Sequence, residues 1–205
     1  MKNPIIKIIE NGLELWIKNR CNKISAVKID IKELKQRKLN SEICNVSFTS
    51  EDLEFNHLPI KYINLKCDSI KIESNLIRRK IFVKDSFNIQ GNIKLDSKGL
   101  QCALNKSKWI WLNHLIAKGL LEKEYISLIK INNNLLKLEG KCAEEELKSI
   151  HNFKIKAHSG KINIDSIDNS KSLKIPMEDS IYIEDSSLSD GLLVLKGYAD
   201  VDEKN

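Results

Sequence analysis

The residues able to do chemistry are few and badly placed for it. The four histidines, His57, His114, His151 and His158, have none of the short spacings that put two imidazoles on one metal ion. The five cysteines, Cys21, Cys44, Cys67, Cys102 and Cys142, contain no CxxC pair, so neither a zinc site nor a dithiol redox motif is written in them. Cys21, Cys44 and Cys67 are evenly spaced, but the residues that follow them do not match, so they mark no repeat. Reduced, mostly buried thiols in a reducing compartment are expected. His158-Ser159-Gly160 is the nearest serine signal, and adjacent residues at a strand end point apart, so it reads as a turn. Glu144, Glu145 and Glu146 read as a solvated acidic stretch. The eight glycines are scattered and build neither a phosphate-binding loop nor a nucleophile elbow. No metal and no cofactor is expected, and catalysis is not.

Charge is the stronger signal. The chain has 205 residues and a formal net charge of +6, and residues 1–100 hold 19 of its 34 basic side chains but only 12 of its 28 acidic ones. The excess gathers at Lys18, Arg20 and Lys23, at Lys32, Lys35, Arg37 and Lys38, and at Arg78, Arg79 and Lys80. Clusters of this kind attract phosphate, on nucleic acid or on an anionic membrane. None is as dense as a strong basic patch, so the plainer reading of each is a short solvated run. Nucleic acid is not the expected partner. Only 6% of residues are aromatic, and no stacking platform or helix-turn-helix pattern is visible.

These residues must be positioned by a fold of limited choice. At 41% hydrophobic and 30% charged, the chain is rich enough in apolar residues to fold, as one domain over 1–201 with a loose tail at 202–205. The longest uncharged run in an apolar region, Trp109 to Ala117, is far short of the roughly 20 residues of a membrane span. Lys7, Glu10 and Glu14 interrupt what would otherwise resemble a secretory signal. A cytoplasmic protein is therefore expected, peripheral on the inner face of a membrane.

Periodicity divides the chain. Residues 4–21 read as a helix opened by Pro4, with Ile5, Ile9, Leu13, Trp16 and Ile17 on one face. A strand over 27–31 is followed by a short basic helix over 32–39. Strands near 43–50 and 60–73 come next, the second changing phase in a way that predicts a bulge. Phe87, Ile89, Gly91, Ile93 and Leu95 alternate with polar residues, as a strand with one wet face requires. Residues 97–121 form one or two helices broken near 105–107. Short strands then run to Val201, with hairpin signals at residues 132–134 and 159–160. About nine strands joined by short turns make the class α+β with a mainly antiparallel sheet. Two helical regions are few for so many one-sided strands. A highly curved sheet wrapped around the long N-terminal helix would cover them and leave an apolar groove.

Two stretches carry a family likeness. One contains Phe87, Ile89, Gly91, Ile93, Leu95, Gly99, Leu100 and Leu104, then Trp109 and Leu112. The other contains Ile175, Pro176, Met177, Ile181, Ile183 and Glu184, then Leu188, Gly191, Leu193, Leu195, Gly197 and Val201. Together, with a looser match from Leu15 to Cys21, they resemble the LmeA-type phospholipid-binding domain family, above all its cyanobacterial branch. The likeness spans nearly the whole chain in the same order and is weakest over 140–151. It implies a tubular-lipid-binding type of fold and phospholipid binding without catalysis.

The expected site is an apolar groove between the helices and the curved sheet. Its candidate liners are Leu13 and Trp16 on the first helix, Phe87, Ile89, Ile93 and Leu95 on the strand, and Leu104, Trp109 and Leu112 on the second helical segment. Arg78, Arg79 and Lys80 would meet the headgroups. The partner is then a phospholipid or a membrane surface, with an anionic one favoured by the charge. The alternative is a membrane-associated interaction scaffold whose core is filled and which holds no lipid. Charge reversal at Arg78 and Arg79 should weaken binding to anionic vesicles and leave binding to neutral ones unchanged. Equal loss on both would remove the headgroup role.

Overall fold

A computed structural model describes residues 4–37, 40–75, 80–83, 85–142 and 149–202. The chain is α+β and its strands pair antiparallel. Helix α1 (Pro4–Arg20) is followed by β1 (Ala26–Arg37), β2 (Asn40–Phe55), β3 (Leu58–Asn75), β4 (Lys80–Val83) and β5 (Phe87–Asp96). The second helical segment comprises α2 (Ser97–Leu104), α3 (Ile110–Ile116) and a π-helical turn over Ala117–Leu121. Then come β6 (Tyr125–Asn132), β7 (Leu135–Lys141), β8 (Ile150–His158), β9 (Lys161–Ser166), β10 (Ser172–Lys174), β11 (Ile181–Ser189) and β12 (Leu192–Val201).

The strands form two open sheets. The larger runs β1-β2-β3-β5-β12-β11, with β4 on a branch of β3, and the smaller runs β10-β9-β8-β7-β6. β3 is long enough to serve two neighbours. Its residues Tyr62–Lys66 pair with β5, and Ile72–Asn75 pair with β4. The sheet therefore forks beyond Lys66.

Four hairpins turn on two residues with positive φ: Asn56-His57, Asn133-Asn134, Ser159-Gly160 and Asp190-Gly191. This is the turn whose twist matches paired strands, and Asn, Asp and Gly adopt it at least cost. The two hairpin signals seen in the sequence fall on the second and third. At Gly160 the requirement is doubled, because its φ is +75° and an added Cβ would lie 2.3 Å from the Tyr182 ring.

Two local expectations are corrected. The basic helix over 32–39 is strand at least to Arg37, because Glu33, Leu34, Lys35, Gln36 and Arg37 pair in turn with Cys44, Ile43, Glu42, Ser41 and Asn40. The bulge expected in the second long strand is not there either. β2 and β3 keep one register from Asn40↔Glu73 to Phe55↔Leu58. The phase of the apolar pattern changes for a different reason. Asn45 and Asp52 of β2 have φ of +51° and +48°, and at each the ladder turns over locally. Ser50 and Leu53 are thereby both buried, against Ile63 and Ile60. Asn and Asp tolerate this left-handed conformation where a bulky residue would not.

The main core lies between the two sheets and the second helical segment. It joins Leu53, Ile60, Ile63 and Leu95 of the larger sheet to Leu104, Ile116 and Leu120 of the helices and Ile126, Leu138 and Phe153 of the smaller sheet. A second, smaller core lies under α1, where Ile6 meets Ile31 and Ile43, with Ile9 and Leu13 beside them.

Two edge strands, β6 and β1, are capped by helix side chains. The N–H of Ile126 donates to Asn113 Oδ1 (2.6 Å), that of Ile129 to Gln101 Oε1 (2.6 Å) and that of Ile131 to Ser97 Oγ (2.8 Å). Asn113, buried to 1% exposure, also donates from Nδ2 to the Ile126 carbonyl (3.3 Å). On the other sheet the Ile31 N–H donates to Glu10 Oε1 of α1 (2.8 Å). Asn113→Leu should destabilise the fold by about 1–3 kcal/mol, because it strands a buried donor and acceptor. A urea midpoint equal to that of the unmodified protein would show that β6 is held by packing alone.

Candidate functional site

The expected groove liners do not form one surface. Leu95 and Leu104 are buried in the main core, and Ile93, Trp109 and Leu112 pack against it half-buried. Those five meet, and what they meet is the protein's own side chains. Trp109 is fixed further by its indole N–H, which donates to the Asn56 carbonyl (2.8 Å). Leu13 belongs to the smaller core instead. Phe87 and Ile89 are half-buried and join neither cluster. They lie opposite Val201 and Ala199 on β12, as a short apolar strip beyond the main core. Arg78 and Arg79 fall outside the described residues, as do Glu144, Glu145 and Glu146. Lys80 begins β4, opposite Asn75.

Trp16 is the informative departure. It is 58% exposed, although its spacing placed it on the buried side of the helix. Packing rotates α1 slightly from that expectation. Ile6, Ile9 and Leu13 face the sheet, and Ile5 and Trp16 fall to the flank. On the outer side Ile8 is 70% and Leu15 62% exposed. Ile5, Ile8, Gly12, Leu15 and Trp16 follow one another at steps of three, four, three and one, which traces a single stripe on a helix. Gly12 has nothing within 4 Å of where a Cβ would stand, so the stripe is open at its middle. α1 is thus apolar on two sides. Its charged residues Lys7, Glu14 and Lys18 occupy the remainder, with Lys18 Nζ 2.6 Å from Glu14. Arg20 sits over the Trp16 ring at 5.4 Å, an interaction that holds a cation beside an exposed aromatic. The signal for this stripe was present in the sequence, since Ile8 and Leu15 have no place in the buried pattern.

The other chemical groups are accounted for by local structure. His114 Nδ1 is 2.6 Å from the Glu124 carbonyl, and His151 Nε2 is 2.9 Å from Ser149 Oγ. His57 Nδ1 is 3.5 Å from Glu54. Asp168 accepts from Ser166 and Ser170, which pull its carboxyl pKa down to about 2 and tie the loop before β10. The five thiols are free, and burial raises those of Cys21 and Cys67. Among the described residues no three His, Cys, Asp or Glu side chains gather as metal ligands would. A small cleft of about 190 Å³ opens at the fork of the larger sheet, lined by Lys66, Asp68, Ser69, Asn88 and Gln90. Its walls are polar and unsuited to an acyl chain. Among the described residues no helix is long and apolar enough to cross a membrane.

No family model, no curated protein and no solved structure matches the chain. The outer stripe of α1 therefore stands on its own geometry as the candidate site.

Truncation on the two sides of α1 should separate them. Ile6→Ala should cost about 2–5 kcal/mol, as cavities in a packed core do. Ile8→Ala should change stability by less than about 0.5 kcal/mol. Chemical unfolding of both variants measures this, and equal losses would mean that the outer stripe is covered in the folded protein.

Proposed function

We propose that this protein binds phospholipid at a membrane surface without catalysing a reaction, and that the outer stripe of α1 makes the contact. The observation that carries the reading is the exposure of Ile8, Leu15 and Trp16 on one side of a helix whose other side is already packed. An amphipathic helix lying in the headgroup boundary presents large apolar residues of this kind, flanked by cations. Lys7, Lys18 and Arg20 are the flanking cations here. The likeness to LmeA-type domains supports the same ligand class.

The contact differs in place from the groove expected between helices and sheet. Leu95 and Leu104 are enclosed by protein, so the apolar surface on offer lies outside α1. Phe87 and Ile89, with Ala199 and Val201, form the remaining strip that an acyl chain would find half-open. The filled main core favours a second reading, a membrane-associated scaffold that grips a protein partner and holds no lipid.

Co-purification from native cells, with lipid identified by mass spectrometry against a denatured control, separates the two. A bound phospholipid supports the first reading, and clean protein moves the balance to the scaffold. Leu15→Ser combined with Trp16→Ser should lower partition into phospholipid vesicles by tenfold or more, with an unchanged unfolding midpoint, because both side chains lose most of their interfacial burial. Undiminished sedimentation with vesicles would remove α1 from the contact.

A further inference from the structure

We propose a second membrane contact, formed by residues 106–111 and the Phe55 turn, that shares an anionic phospholipid surface with the C-terminal end of α1. This rests on the reading that the protein meets such a surface, and it adds where the surface lies and how the molecule stands on it. The three segments are distant in sequence and bonded together in space. The Asn22 N–H, just after α1, donates to the Glu54 carbonyl (2.8 Å), and the His57 N–H donates to Asn22 Oδ1 (3.3 Å). The Trp109 indole donates to the Asn56 carbonyl. The turn from Phe55 to Leu58 and the strand end before it therefore hold both the end of α1 and residues 106–111.

That end of the molecule exposes more large apolar surface than a packed chain needs. Phe55 is 45%, Ile110 37% and Trp111 47% exposed, and Trp16 stands one turn before the end of α1. Cations surround them. Arg20, Lys23, Lys106 and Lys108 are all exposed and form no ion pair among the described residues. Two carboxylates of β2 next to the turn are engaged: Glu54 lies by His57, and Asp52 takes Lys61 at 2.6 Å. A protein partner would need a shaped, mostly uncharged apolar centre. Here Lys106 and Lys108 directly precede Trp109, Ile110 and Trp111 within six residues, the composition of a segment that seats aromatic rings at the headgroup level and its cations among phosphates. Trp109 faces inward and anchors the segment, leaving Ile110 and Trp111 to project. With the α1 stripe, the contact has two points about one domain end, which fixes orientation where a lone helix would allow rolling.

Sedimentation of the full chain with phosphatidylcholine vesicles, with and without 30% phosphatidylserine (about that fraction gives a strongly negative surface), tests this. Three variants are compared: Lys106→Gln with Lys108→Gln, Ile110→Ser with Trp111→Ser, and the α1 pair Leu15→Ser with Trp16→Ser. Circular dichroism and urea midpoints check that each is folded. The lysine pair should bind anionic vesicles about 25-fold more weakly, about fivefold for each charge, with little change on neutral ones. The Ile110/Trp111 pair should weaken binding about tenfold on both. If the α1 pair loses binding and both loop variants bind like the unmodified protein, the second contact is wrong and the α1 reading stands. If the unmodified protein binds neither vesicle, the membrane reading itself fails and takes this one with it.

Discussion

An open antiparallel sheet leaves a row of unpaired N–H groups at each edge, and this chain has two such sheets. Everything else is arranged around closing two of those edges. At β6 three successive outward N–H groups, from Ile126, Ile129 and Ile131, are taken by Asn113, Gln101 and Ser97. A register shift between Ile126 and Leu128 makes the spacing three and then two instead of two and two. The acceptors lie on two short helices that could not stand alone in water. They persist because each is tied to the strand and roofs the main core. At β1 the Glu10 carboxylate does the same for Ile31. Each such bond is worth only about 1 kcal/mol net, but leaving the groups unsatisfied would cost more and would expose a template for strand addition.

The same bond fixes what α1 can do. Glu10 must reach β1, and Ile6, Ile9 and Leu13 must reach Ile31 and Ile43. With those four committed, the rotation of the helix about its axis is determined. Ile8, Leu15 and Trp16 then have nowhere to go but outward. Their exposure follows from that commitment. Rolling the helix to bury Trp16 would pull Ile6, Ile9 and Leu13 off Ile31 and Ile43 and break the bond that the Ile31 N–H donates to Glu10. Packing and bond therefore oppose the roll together.

Much of the fold was legible in the sequence. The class, the N-terminal helix, the break near residues 105–107 and the hairpins at Asn133-Asn134 and Ser159-Gly160 followed from period and turn chemistry, which are local properties. The strand through Lys35 and Arg37 was not legible, because Leu34 is the one apolar residue among residues 32–37 and a single apolar residue writes no period-two signal. Nor was the true origin of the phase change in β3, since it lies in the backbone of its neighbour at Asn45 and Asp52. The site was legible only in part. Apolar periodicity says that Leu13, Leu95 and Leu104 face something apolar and does not say whether that something is protein or ligand. Trp16 sits about 20° from Ile9 on an ideal helix, too little for spacing to separate a buried side from a flank. The deciding group was Glu10, whose partner is a backbone N–H on another element.

Trp109 and Trp111 make the same point in a smaller compass. Two residues apart on a helical turn, they face nearly opposite ways, and one indole N–H on the Asn56 carbonyl settles which goes in. The tryptophan bonded to Asn56 packs half-buried against the core, and Trp111 lies 47% exposed at the surface, beside Lys106 and Lys108. In α1 and around residues 109–111 a polar bond to another element's backbone, at Glu10 and at Trp109, commits one side of the helical stretch inward. The apolar residues left over, Ile8, Leu15 and Trp16 on α1 and Ile110 and Trp111 on the second stretch, are exposed. Closing the interior with polar bonds is thus the same act that leaves apolar side chains outside beside exposed cations, the chemistry that the proposed contact with lipid would use.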